Sequence, residues 1–111
     1  MTPVNRFSMI AIALAALGTS MTGASAETWW QASHPRRAEV NERLACQNYR
    51  IDRGVAEGRI SPYEAARLHA EDRAIRHEER FMAGFDGGHI TPAEQRALNQ
   101  QENAVSRQIG P

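Results

Sequence analysis

From Arg36 onward, apolar residues recur at helical intervals in three separate stretches. In the first, Val40, Leu44, Ile51 and Val55 stand at steps of four, seven and four, which places them on one face of a helix running from about Arg36 to Glu57. The second carries Leu68, Ile75 and Met82 at heptad spacing between Pro62 and Ala83, and the third carries Leu98, Val105 and Ile109 between Pro92 and Ile109. The pattern predicts an all-α domain over residues 36–111. Short turns between helices of similar length make neighbours antiparallel, as an up-down-up bundle or an extended helical hairpin with a third arm. The stripes are thin. Asp72 and Glu79 fall on or beside the heptad seam of the second helix, and Gln47 and Gln101 fall near the stripes of the other two. So sparse a core makes a marginal monomer and points to self-association or a protein partner.

Between the stripes lies a repeat. Gly58-Arg59-Ile60-Ser61-Pro62-Tyr63-Glu64 and Gly88-His89-Ile90-Thr91-Pro92-Ala93-Glu94 match in glycine, isoleucine, hydroxyl, proline and glutamate at an offset of thirty, and Leu68 and Leu98 extend the match. Each copy reads as a helix start. Ser61 or Thr91 is the N-cap, the proline takes the first helical position, and Glu64 or Glu94 completes a capping box. The glycine suits the left-handed residue that closes the preceding helix.

The first 26 residues have a different logic. Arg6 supplies a positive start, Met9 to Leu17 is an unbroken apolar run, and Ala24-Ser25-Ala26 offers the small side chains of a signal-peptidase site. The run is too short for a permanent membrane span, with retention as an anchor the alternative. A cleaved signal peptide over 1–26 and a mature chain from Glu27 follow, with residues 27–35, including Trp29, Trp30 and Pro35, as a flexible lead-in without periodicity. The expected destination is the periplasm or the outside.

Composition then narrows the chemistry. Thirteen basic residues balance thirteen acidic ones, so no net field draws the chain to nucleic acid. Every basic residue is arginine, which fits coding bias as well as carboxylate pairing. Cys46 has no internal disulfide partner; inside a helix it reads as a small buried hydrophobe, with a disulfide-linked dimer as the alternative.

Read as a calcium loop, Ala83 to Glu94 aligns Gly88, Ile90 and Glu94 with the sixth, eighth and twelfth positions of an EF-hand, but Ala83, Phe85 and Gly87 stand where oxygen ligands are needed. No calcium site is expected. Of the histidines, His69 and His77 lie eight apart on the second helix, too far to share an ion unaided, while His34 and His89 fall in the lead-in and the turn. No metal and no cofactor are assigned. Glu71, Asp72, Glu78 and Glu79 interleave with Arg67, Arg73, Arg76 and Arg80 as a solvated helix face does, with Asp72–Arg76 and Glu39–Arg43 in the favourable order for pairing. No nucleophile motif or phosphate loop is present, so no catalytic residue is assigned and an enzyme is not expected.

Gly58, Ile60, Ser61, Glu64 and Leu68, with Gly88, Ile90, Thr91, Glu94 and Leu98, resemble the helix-turn unit of a family of small exported helical bacterial proteins. Asn99 to Ile109 is similar to that family's closing helix. More distantly, Ile60-Ser61-x-x-Glu64 and Ile90-Thr91-x-x-Glu94 are similar to the L-T-x-x-Q motif of periplasmic stress chaperones of the Spy and CpxP type, with isoleucine for leucine and glutamate for glutamine in both copies. The resemblance implies export and a helical fold but no particular activity, and action by contact rests on the sparse core and the absence of a catalytic constellation. The leading expectation is therefore a non-enzymatic periplasmic protein acting through protein–protein contact. A holdase-type chaperone, presenting arginine with Ile75, Met82 and Phe81 on a concave face, is the second reading, and a metal-responsive sensor the third.

Overall fold

The computed structural model describes residues 27–111, and all their regular structure is helical. The leader expected over 1–26 lies outside the described residues. The chain divides into two units between Ser33 and His34.

The first unit contains α1, Trp29–Ser33, within the stretch expected as a lead-in. Its start has a reciprocal cap: Thr28 N–H donates to the Gln31 side chain, and Gln31 N–H donates to Thr28 Oγ1. Ser33 Oγ turns back to the Trp29 carbonyl. Trp29 is exposed.

The second unit is built from α2 (Pro35–Ala56), α3 (Pro62–Ala83) and α4 (Pro92–Ile109). Each begins with proline in its first turn, where the missing N–H costs no helical hydrogen bond. Ser61 and Thr91 are N-caps in extended conformation, accepting from Glu64 N–H and Glu94 N–H. Only the second copy closes the full box: Glu94 accepts in return from Thr91 N–H. In the first, the Glu64 carboxylate is drawn to Arg67 on the helix surface instead.

Side-chain pairs give the directions. Arg37 at the start of α2 reaches Glu79 near the end of α3, whereas Asn48 and Asp52, further along α2, meet His69 near its start. Gln101 donates to Glu78 and Gln108 to Glu71, so α3 and α4 also run oppositely. Between α2 and α4 the order is preserved, with Gln95 bonded to Glu39 and Arg50 to Ser106. All three pairs of these helices are in contact.

Burial follows steps of three and four on each helix: Val40, Leu44, Gln47, Ile51 and Gly54 on α2; Ala65, Leu68, Asp72, Ile75, Glu79 and Ala83 on α3; Leu98, Glu102, Val105 and Ile109 on α4. Ile60 and Ile90, from the two turns, join the same core. The apolar seam is thus interrupted on every helix by a polar residue.

Two sequence expectations need correction here. Cys46 is exposed, not buried, because the seam passes through Leu44 and Gln47 and leaves position 46 outside. Asp72 and Glu79 are not part of a solvated face: both are buried, and the polar residue buried on α4 is Glu102, one position beyond the Gln101 expected near the stripe.

Candidate functional site

Two features of the helical unit depart from what a small helical protein needs merely to fold. One is an exposed aromatic edge and the other is a buried carboxyl layer.

The edge forms where α3 gives way to the second turn. Position 79 faces the core and Met82 packs against it in part, so Phe81 is turned outward and remains 68% exposed, with Phe85 77% exposed. The two rings meet edge to face with centroids 5.0 Å apart. Such pairs contribute about 0.5–1.5 kcal/mol beyond burial, but this one leaves most of its apolar surface in water. Tyr63, at the far end of α3, and Tyr49 on α2 are exposed as well. Ile75, expected to share a concave face with Phe81 and Met82, is buried in the seam instead.

The carboxyl layer is more unusual. Glu79 and Glu102 have no exposed surface, and Asp72 is nearly as closed. Arg37 Nε donates to Glu79 Oε2 at 2.6 Å, and Arg76 Nε stands 3.5 Å from the other oxygen. Glu102 has Arg43 Nη1 at 3.7 Å, beyond hydrogen-bonding distance, and neither of its carboxyl oxygens accepts a hydrogen bond. Neither oxygen of Asp72 does so either. Opposite them Gln47 donates through Nε2 to the Glu102 carbonyl at 2.7 Å, which leaves its own buried Oε1 without a donor. Burial pushes the Asp72 carboxyl up to about 6, against the pull of His69. It pushes Glu102 up to about 8, with Arg43 opposing and Glu39, Asp72 and Glu79 adding repulsion. The helix-surface pairs expected from spacing are redistributed accordingly. Arg76 turns to Glu79 and not to Asp72, while Arg43 donates to Asn103 and Glu39 accepts from Gln95. Arg67–Glu71 and Arg53–Glu57 keep surface pairing at that spacing.

The remaining candidates take structural roles. His69 bridges α3 to α2, its ring nitrogens 2.7 Å from Asn48 Oδ1 and 2.9 Å from Asp52 Oδ1. His77 is exposed, and His34 stacks on His89 with ring centroids 4.5 Å apart. Among the described residues, no three of His, Cys, Asp and Glu converge as metal ligands. In the loop aligned with a calcium site, Glu94 is engaged by the capping box. Cys46 borders a surface groove of about 380 Å³ between α2 and α4, beside Glu42, Arg43, Arg50 and Ser106. No described helix is long and apolar enough to cross a membrane.

Sequence reasoning placed Phe81 and Met82 on a contact face with Ile75, but it missed Phe85 as the partner of Phe81 and it missed Glu102. The signal that could have found Glu102 is its step of four from Leu98 and three to Val105, the same alternation that runs through α3.

Comparison with protein-family models finds no match, and no curated protein or solved structure is found to be similar to the chain.

Proposed function

We propose that the chain is an exported protein of the bacterial envelope, with residues 1–26 removed as a signal peptide, and that its mature three-helix bundle works without catalysis by binding another protein. The observation that carries this reading is the outward-facing Phe81–Phe85 pair. Two phenylalanines four residues apart could have been turned inward by a shift of one position in the seam. Instead Met82 and Ala83 take the inner positions, and the rings stand in water at the end of a helix. Buried against a partner, they would contribute about 1.5–3 kcal/mol each. The apolar run from Met9 to Leu17 and the Ala24-Ser25-Ala26 site support export.

The test is brief cross-linking in the periplasm followed by affinity capture of the protein and of its Phe81→Ser/Phe85→Ser variant. One or two stoichiometric partners, lost from the variant, are the expected result. A broad set of unfolded envelope proteins would favour the chaperone suggested by the Ile-Ser and Ile-Thr motifs. Identical capture by both forms would overturn the role of the aromatic edge. Processing is checked separately by the mass of the exported form, which should begin at Glu27.

A further inference from the structure

The core of the helical unit is short of hydrogen-bond donors. Among the described residues eight buried side-chain oxygens accept no hydrogen bond: Asn41 Oδ1, Asn99 Oδ1 and, on the polar residues of the seam, Gln47 Oε1, Asp72 Oδ1 and Oδ2, Glu79 Oε1, and Glu102 Oε1 and Oε2. They come from all three long helices. Gln47 and Glu102 are linked through the Glu102 carbonyl, and Asp72 and Glu79 act electrostatically on Glu102. An ionised carboxylate is acceptor only, whereas a protonated one carries a donor. For Asp72 and Glu102, neither of whose carboxyl oxygens accepts a hydrogen bond, ionisation therefore leaves a buried charge with no donor to satisfy it, whereas a bound proton removes that charge.

We propose that Asp72 and Glu102, in the buried polar layer with Gln47 and Glu79, form a proton-operated lock on the helical unit, closed while these two carboxyls hold protons and loosened as they ionise. Glu102 is the hinge of the argument. It sits in the middle of the buried stripe of α4, between Leu98 and Val105, so its ionisation acts on the docking of α4 against both other helices. The groups around it are Arg43 and Glu39 from α2 and Asp72 and Glu79 from α3. Arg43 alone carries opposing charge, and its side chain is committed to Asn103. Asp72 has His69 and Glu71 on its own helix, with His69 held by Asn48 and Asp52 of α2. Glu79 differs, because Arg37 from α2 and Arg76 from α3 compensate its charge.

The sign follows from linkage. The Glu102 carboxyl has an ordinary value of 4.5 and is raised to about 8 in the folded state. Between these values the folded protein holds a proton that the unfolded chain has released, so stability is full below the lower value and is lost as pH rises through the upper one. Asp72 works in the same direction between 3.8 and about 6. From about pH 6 the contribution of Asp72 fades and that of Glu102 dominates. There, one extra proton in the native state makes the unfolding constant rise by about tenfold per pH unit.

The experiment is urea unfolding of the protein at pH 6, 7 and 8, beside Glu102→Gln, with amide exchange followed in α4. The expected result is an unfolding constant that climbs about tenfold per unit, faster exchange in α4 as pH rises, and a flat profile in Glu102→Gln. A wild-type constant unchanged from pH 6 to 8, or an equal climb in the variant, overturns the proposal. Should Glu102→Gln fail to fold, the carboxyl carbon of Glu102 in the wild-type protein is titrated by NMR. A midpoint above 6 upholds the lock and one at or below 6 overturns it. The readout does not involve the aromatic edge, so it stands or falls independently of the contact function.

Discussion

The two copies of the repeat share their chemistry and part company in how the preceding helix ends. In both, the glycine is left-handed, with φ 78° at Gly58 and 94° at Gly88, the isoleucine is buried and the hydroxyl caps the next helix. The first turn is closed by backbone. Arg59 N–H and Ile60 N–H both donate to the Gly54 carbonyl, and Ile60 lies over Gly54, which has no side chain to obstruct it. The second turn is longer, because α3 ends at Ala83 and Gly84, Phe85 and Asp86 continue in turns before Gly88 N–H returns to the Ala83 carbonyl. Its carbonyls are held from outside, with Arg37 Nη1 donating to Gly88 O at 2.9 Å and Arg36 Nε to Ile90 O at 2.6 Å. One sequence motif thus determines where a helix begins, while the residues before it decide what closes the turn.

The sharpest way to break this difference is at the arginines. Arg37→Ala removes a clamp of the second turn and also the 2.6 Å partner of a fully buried Glu79. We expect a loss of about 3–5 kcal/mol in urea unfolding, with much of it recovered when Glu79→Leu is added. Arg59 in the first turn pairs only with exposed Glu57, so Arg59→Ala should change stability by no more than about 0.5 kcal/mol. Equal losses from the two substitutions would contradict the distinction between the turns.

A smaller effect separates two glycines. A Cβ at Gly54 would lie 2.4 Å from Ile60 Cδ1, so Gly54→Ala should destabilise by about 1–2 kcal/mol through overpacking, despite better helix propensity. Ile60→Val in the same chain should relieve part of it. Gly84 is right-handed and meets no side chain, so Gly84→Ala should be neutral or mildly stabilising, within about 0.5 kcal/mol. Thermal melting of the three variants is sufficient.

The smallest effect concerns the caps. Thr91→Ala combined with Glu94→Ala forfeits both bonds of a reciprocal box, one accepted by Thr91 Oγ1 and one by the Glu94 carboxylate, and should cost about 1–2 kcal/mol. Ser61→Ala forfeits the single bond to Glu64 N–H and should cost about 0.5–1 kcal/mol. Melting temperatures in the reverse order would contradict a stabilising contribution from the second bond of the box.

Why some of this was legible in the chain and some was not is a matter of range. Helix starts depend on a few consecutive residues, and Ser61-Pro62 and Thr91-Pro92 mark them to the residue; the first helix, expected from Arg36, begins at Pro35. The polar layer depends on which helix face meets two neighbours at once. From Leu98, steps of three and four are equally helical, and only packing against α2 and α3 selects Glu102 over Gln101. The same ambiguity placed Cys46 inside when Gln47 occupies that position. Asp72 and Glu79 were recognised as lying on the seam, yet their interleaving with arginines suggested a wet face, because the partner that buries Glu79 against Arg37 is 42 positions away. The arginine clamps themselves left no local trace.

Those clamps bear on the order in which the fold can be completed. Arg36, Arg37 and Arg50 of α2 reach partners 51 to 60 positions later: Ile90, Gly88, Ser106 and Gly110. Closing such distant contacts is slow compared with making a helix or a hairpin. As the chain is synthesised, α2 and α3 can meet early through His69, the Ile60 turn and Glu79, whereas the contacts of Arg36 and Arg50 must wait for Ile90, Ser106 and Gly110. Any pairing of α2 with α3 that precedes synthesis of α4 would leave the apolar groove between them open until the third helix arrives.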